Sequence, residues 1–503
     1  MNKYDIVIIG SGIGGLVCGG ILAREGYRVC ILEKNNQIGG SLQTFSRDKR
    51  IFDSGVHYLG GLGEGQNLYQ IFKYLEVMDK LKLERMDEDA FDKILIGDDP
   101  KEYRQGQGYE NFIRNLVKDF PEEEAGIRAY CEKIKEVCSR FPLYNLRTNG
   151  LHEDKADVWG LDTYTVVSSL IQNKTLQSVL VGNNALYVGR ANETPFYIHS
   201  LIINSYIQSA WKCVNGGSQI ANILAKNIRK YGGEIIKYCE VTRLVTEADK
   251  VLYAETANGK QYHADRFISN LHPARTMDMT ESEAIKPVYR KRIASLPQTI
   301  SSFLIHIALK ENCFPYYKHN YYYHKPGHIW GLADYTEDNW PLGYAIFLPP
   351  SYRTGEYADA MTIFSYMRYE EMKPWEHTFN TIYDENDRGA DYELFKKRKA
   401  ETLLDCVEQR FPGLRNCIKS YSTSTPLSYR DYIGNYDGSL YGVAKDYRDP
   451  LKTFISPRTK VRNLYLTGQN INVHGVLGAS ISALLTCITI LGNEDIVEKI
   501  KNA

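Results

Sequence analysis

The chain has 503 residues, 43% of them hydrophobic, which is enough for two or three domains and a sizeable core. Lys+Arg and Asp+Glu each number 61, so the formal net charge is zero, which argues against nucleic acid as the main partner. Ten cysteines with no C-x-x-C pair and no zinc-like Cys/His spacing predict buried free thiols in a reducing compartment and no metal site.

The N-terminus, MNKYDIVIIG, goes straight into a β-branched run with no basic segment followed by an apolar one, so a cytoplasmic protein is expected. Tyr4 to Ile9 reads as a buried strand. GSGIGG follows, placing Gly10, Gly12 and Gly15 in the G-x-G-x-x-G positions, with Ile13 and Gly14 between them. A helix is predicted to about Glu25, with Gly26 at its end, and RVCILE is the next strand, closing on Glu33. The chemistry of this order is specific. Gly10 permits a tight turn, Gly12 lets backbone approach a pyrophosphate, and Gly15 lets helix pack on strand. The helix start offers free N–H groups to phosphates, and Glu33 can accept from a ribose diol.

Lys34, then Gly39-Gly40-Ser41 and Thr44, continue the pattern, and FDSGVHYLGG follows at Phe52–Gly61. This E-K-x-x-x-x-G-G-x-x-x-T and F-D-x-G arrangement resembles the N-terminal region of FAD-dependent amine oxidases, phytoene desaturases and their relatives. The resemblance implies that the Gly39-Gly40 loop lies along an FAD diphosphate. It also implies that Gly55, Val56 and His57 reach the flavin ring.

Helices are predicted from Gln66 to about Leu81 and from Glu122 to Phe141, each with an apolar face meant for the core. WKCVNGGSQIANILAKNIRKYGGEI opens a further helix from a glycine pair. By the same resemblance the strand Glu240 to Leu244 brings Val241 to the FAD adenine, and Ser269-Asn270 marks the return to the FAD domain. SSFLIHIALK alternates as a half-buried strand should. YYKHNYYYH, Tyr316 to His324, reads as a sheet edge, with a tunnel wall as the alternative.

GVLGASISALLTCITILG, Gly475 to Gly492, carries no charge and is just long enough, at about 18 residues, to raise the question of a membrane span. It lacks flanking basic anchors and an aromatic belt, and is expected to be a core helix. LYLTGQ before it and G-x-x-G-A at its start are similar to the superfamily's C-terminal flavin signature. Gly468, Gln469, Val476, Leu477, Gly478 and Ala479 are thereby implied to face the flavin and ribityl chain.

FDSGVHYLGG, TPLSYRDYIGNYDGSLYG, LYLTGQNINVHGVLGA and DAMTIFSYMRYEEMKPWE together resemble the retinol saturases and carotenoid isomerases, a group allied to the phytoene desaturases. The implied fold is α/β, a Rossmann-like FAD-binding domain of the amine-oxidase type interleaved with an α+β substrate domain. Residues 1–70, 211–275 and 442–503 would form the first and 71–210 and 276–441 the second. The implied activity is FAD-dependent chemistry at C=C bonds of a hydrophobic, conjugated, carotenoid- or retinoid-like substrate, by saturation or cis-trans isomerisation. Alternatives are desaturation of a related lipid and, in a different class, a prenyl- or lipid-binding escort protein without catalysis. His57, Tyr441 and His474 are the candidate acid/base groups, each with packing against backbone as its competing role. No second dinucleotide fingerprint is found, so the electron donor or acceptor is left open, and peripheral membrane contact is expected of a lipid-handling enzyme.

Overall fold

The structure is a computed structural model and describes residues 4–151, 153, 155–381 and 388–503. Two seven-stranded sheets organise it. In the first, the N-terminal strand Tyr4–Ile9 lies between Val29–Leu32 and Gln261–Ser269, parallel to both. Glu234–Ile236 extends one side in parallel, and Leu464–Leu466 pairs in parallel with Gln261–Ser269. Val241–Glu247 and Lys250–Thr256 complete it as an antiparallel meander. Ile6, Val7, Ile8, Cys30 and Ile31 are wholly buried, as expected of parallel strands covered on both faces.

The second sheet runs Ile418–Ser424, Ser301–Leu309, Ala360–Met367, Gly343–Phe347, Asn320–His324, Asp92–Ile96 and Tyr103–Gln105. Only Asn320–His324 and Asp92–Ile96 pair in parallel. Three expectations are corrected here. YYKHNYYYH is not an edge: Asn320–His324 is an interior strand, hydrogen-bonded on both sides. Nor is Ser301–Leu309 half-buried. All nine of its residues are buried, because neighbouring strands flank it and the hairpin Thr44–Arg47/Arg50–Asp53 packs Phe45 and Phe52 against His306.

The third correction concerns cysteine. Cys313 and Cys417 form a disulfide, with Cα atoms 5.4 Å apart. The antiparallel pairing of Ser301–Leu309 with Ile418–Ser424 brings the two flanking segments together. The other eight cysteines are free, and seven of them are buried.

The C-terminal apolar stretch is the helix Gly475–Leu491, packed against the first helix, Ile13–Arg24. It is apolar all round because it is buried, not because it meets lipid. Among the described residues no helix is long and apolar enough to cross a membrane.

Candidate active site

Between the sheets runs one large cavity of about 1150 Å³, above the roughly 300–1,000 Å³ usual for a single small ligand. Its two ends differ in character. One is lined by the glycine turn after the first strand, Glu33, Val241 and the start of the C-terminal helix; the other by Phe347, Tyr197, Leu201, Ile202, Tyr206 and Tyr322.

The polar end is a cradle made by missing side chains. Gly10 has φ +91°, and Gly12 ends its strand–helix turn with no side chain capping the helix. The first-turn N–H groups of that helix therefore have no intrahelical partner. A Cβ on Gly12 would lie 2.8 Å from Asn270 Nδ2, and one on Gly14 would lie 2.6 Å from Asn270 Oδ1 and 2.8 Å from Gly468 Cα. Asn270 is thus a peg between two glycine turns. Gly15 lies outside the lining: its Cβ would meet the Gly10 carbonyl at 2.2 Å, so it serves helix–strand packing. Gly39 and Gly40, at φ +112° and +56°, bring a second loop against Gly12.

Glu33 Oε2 accepts from Ser11 N at 3.0 Å and Ser11 Oγ at 2.5 Å, and Oε1 accepts from Asn35 N at 2.9 Å. A carboxylate has about four acceptor sites, so one remains for a ligand hydroxyl. Lys34 donates to the Asp431 carbonyl at 3.3 Å, and burial together with nearby Arg275 holds it below the ordinary lysine value. Ser41, Gly55, Val56, Gln469, Val476, Leu477, Gly478 and Ala479 all line the cavity. Gly478 admits no side chain, since its Cβ would lie 2.2 Å from the Val473 carbonyl oxygen.

His57 stacks on Phe347 with centroids 4.3 Å apart and planes 6° from parallel. Burial, with help from Lys212, lowers its pKa to about 4. Tyr441 and His474 stack at 4.1 Å, and each donates to a neighbouring backbone carbonyl: Tyr441 to Ala185 at 3.0 Å, His474 Nε2 to Leu186 at 2.8 Å. His474 is pushed down to about 4 by burial. At neutral pH both histidines are uncharged, and in this conformation the Tyr441–His474 pair clasps the segment at Ala185–Leu186.

Residues that the sequence did not flag complete the site. Lys445 lines the cavity and donates to the Thr453 and Asn470 carbonyls at 2.9 and 3.4 Å, with burial lowering it to about 8. Arg275 and Tyr322 also line it. Behind Tyr322 and Tyr58 sits Asp92, fully buried in the strand Asp92–Ile96. A lone acid in an apolar strand, FDKILI, was the one available signal for Asp92.

The family model described as NAD(P)-binding Rossmann-like domain matches residues 8–75. Fold and site together define the class: a protein with a Rossmann-like dinucleotide-binding half joined by one cavity to a second, aromatic-lined half. Along almost its whole length the chain is similar to curated proteins that include the following two. All-trans-retinol 13,14-reductase of Danio rerio is 28% identical over 98% of this chain and 87% of its own. Prolycopene isomerase 2, chloroplastic, of an Oncidium hybrid cultivar is 25% identical over 96% of this chain and 83% of its own. Among solved structures, an oxidoreductase from Methanosarcina mazei matches with TM-score 0.64 at 16% identity, covering 97% of this chain and all of that one. Putrescine oxidase matches with TM-score 0.62 at 11% identity, covering 98% of this chain and all of that one.

Proposed function

We propose that this chain binds FAD in the polar end of the cavity and acts on C=C bonds of a hydrophobic, conjugated molecule held in the aromatic end, as a reductase or cis-trans isomerase. The observation that carries the reading is the cavity itself, which joins a glycine cradle to an aromatic chamber and exceeds the volume of one small ligand.

The residues present fit the cofactor. Gly10, Gly12, Ile13, Gly14, Gly39, Gly40 and Ser41 would lie along the diphosphate, with Gly15 keeping the helix close enough to offer its N–H groups. Glu33 would take a ribose hydroxyl and Val241 the adenine, with Lys34 beside them. Gly55, Val56, His57, Gly468, Gln469, Val476, Leu477, Gly478 and Ala479 would border the ring and ribityl chain, and Asn270 would hold the two glycine turns in register. Bound flavin supplies hydride or electron transfer. The protein's own contribution is to orient the polyene on Phe347, Tyr197 and Leu201, to exclude water, and to keep His57 and His474 neutral. The intact cradle speaks against an escort protein. The interleaving of a dinucleotide-binding domain (1–70, 211–275, 442–503) with a substrate domain (71–210, 276–441) is part of this reading, and the two sheets draw their strands from those respective segments. So is peripheral membrane contact, since such substrates dissolve in bilayers; co-sedimentation with phosphatidylcholine vesicles tests it.

The activity test incubates FAD-loaded, dithionite-reduced protein with all-trans-retinol and, separately, with prolycopene. A dihydro product from the first, or a cis-trans change in the second without net reduction, is expected. Neither substrate changing under reducing or oxidising conditions would overturn the reading.

A further inference from the structure

Saturating a C=C bond needs a proton as well as a hydride, and the three candidate acid/base groups are poorly placed to give one. His57 and His474 are neutral, and Tyr441 spends its proton on a carbonyl. A different set of groups meets the requirement. The Tyr58 hydroxyl lies 2.9 Å from Asp92 Oδ2 and 2.8 Å from the Tyr322 hydroxyl, and both tyrosines line the aromatic end of the cavity. Tyr322 is 1% exposed, and Tyr58 is its hydroxyl's one protein partner among the described residues.

From this geometry we infer that Asp92, Tyr58 and Tyr322 form a proton relay ending at the substrate, with Tyr322 as the donor. The inference rests on the reading above. With Asp92 protonated, its carboxyl can donate to Tyr58, Tyr58 to Tyr322, and the Tyr322 proton is left with no protein acceptor. It is then free for the cavity. With Asp92 ionised the chain reverses and every proton points inward, as Tyr58 donates to the carboxylate.

Burial favours the protonated form and three hydrogen-bond donors oppose it, so the proton is held at and below about pH 6. Oδ1 accepts from Asn320 Nδ2 at 2.9 Å, and Oδ2 accepts from Asn183 Nδ2 at 3.2 Å as well as from Tyr58. No cation forms an ion pair with Asp92 among the described residues. Lys212 faces it from the strand Ala210–Cys213, but gives its ammonium to the Leu348 carbonyl at 3.0 Å. The other facing groups are Tyr206, whose ring lies 4.5 Å from that of Tyr58, and Gln105, which accepts from Asn183 at 2.8 Å. Burial pushes Asp92 up to about 6 against those hydrogen bonds and Lys212.

The step balances. One carbon of the double bond receives a hydride, which bound reduced flavin would supply. The π electron pair on the other carbon takes the Tyr322 proton, forming C–H as O–H breaks. Tyr322 is refilled from Tyr58 and Tyr58 from Asp92, which regains a proton from solvent between turnovers.

The test has two arms on the FAD-loaded protein. Infrared difference titration should show a protonated-carboxyl band that titrates well above the ordinary aspartate range and vanishes in Asp92→Asn; its absence at pH 5 would overturn the relay. In single turnovers of dithionite-reduced protein with all-trans-retinol, Tyr322→Phe should slow reduction about 100-fold or more. The flavin spectrum and retinol affinity should not change, which controls for misfolding. The wild-type rate should fall about tenfold per unit above the carboxyl's pKa, and Tyr58→Phe should abolish that slope. An active wild type whose variants keep rate and slope defeats the relay alone, whereas a wild type inert towards retinol defeats the reductase reading and the relay with it.

Discussion

At Gly14 the fold leaves no room for a methyl group: the Asn270 amide and Gly468 Cα close in at 2.6 and 2.8 Å from where a Cβ would sit. Gly14→Ala must therefore push the first helix away from the Gly468 turn. The expected results are a loss of about 1–3 kcal/mol in stability, as for other overpacked sites, and a weakened grip on FAD. Gly26→Ala is the control. Gly26 has φ +91° and open space around it, so alanine there should cost about 1–2 kcal/mol of backbone strain and leave FAD affinity unchanged. Urea unfolding and fluorescence titration with FAD separate the two. The glycines and Glu33 were legible in the sequence because local chain geometry and local hydrogen bonds dictate them. Asn270 was readable only through resemblance, because its function as a peg depends on Gly12 and Gly468, which meet it only in space.

Among whole elements, the C-terminal helix settles its ambiguity by packing. Cys18 Sγ donates to the Ala483 carbonyl at 3.5 Å, and Ala483 is fully buried against the first helix. Ala483→Leu should cost about 1–3 kcal/mol, read from the shift in urea midpoint; a stability unchanged from wild type would contradict a buried helix–helix seam. That helix was legible from its missing charge and its small residues. The strand Asn320–His324 was not. Its parallel partner Asp92–Ile96 lies 228 residues earlier, and no local pattern encodes that pairing. The same non-local pairing hid the Asp92 cluster and made an interior strand look like an edge. Tyrosines normally prefer positions where the ring is covered and the hydroxyl finds a partner. Here the Tyr322 hydroxyl finds that of Tyr58 at the cavity wall rather than bulk water.

Across the whole molecule, buried histidine sets the response to acid. His57, His199, His272, His306, His319, His324 and His474 are all depressed by burial, to between about 3 and about 4. Each keeps its contribution above its unfolded value, near 6.5, and loses it as pH falls through its folded value. Asp53 and Asp92 act in the opposite sense. Burial raises them to about 7 and about 6, so their contribution is fully present only at low pH and is lost as pH rises through those values. Seven groups outweigh two, so stability should fall steeply between pH 6.5 and 4, at up to about 1.4 kcal/mol per unit for each histidine titrating. Urea midpoints across that range check it; a flat profile would contradict the neutral, buried state of these rings.

The central claim is that the cavity holds a flavin at its glycine-lined end, and the absorption spectrum of the purified protein tests it most directly. A band near 450 nm (about the usual position for oxidised flavin), bleached by anaerobic dithionite and lost in Gly14→Ala, is the expected result. Bleaching by NADH or NADPH would further identify the electron donor. A colourless protein that takes up no added FAD would contradict the claim.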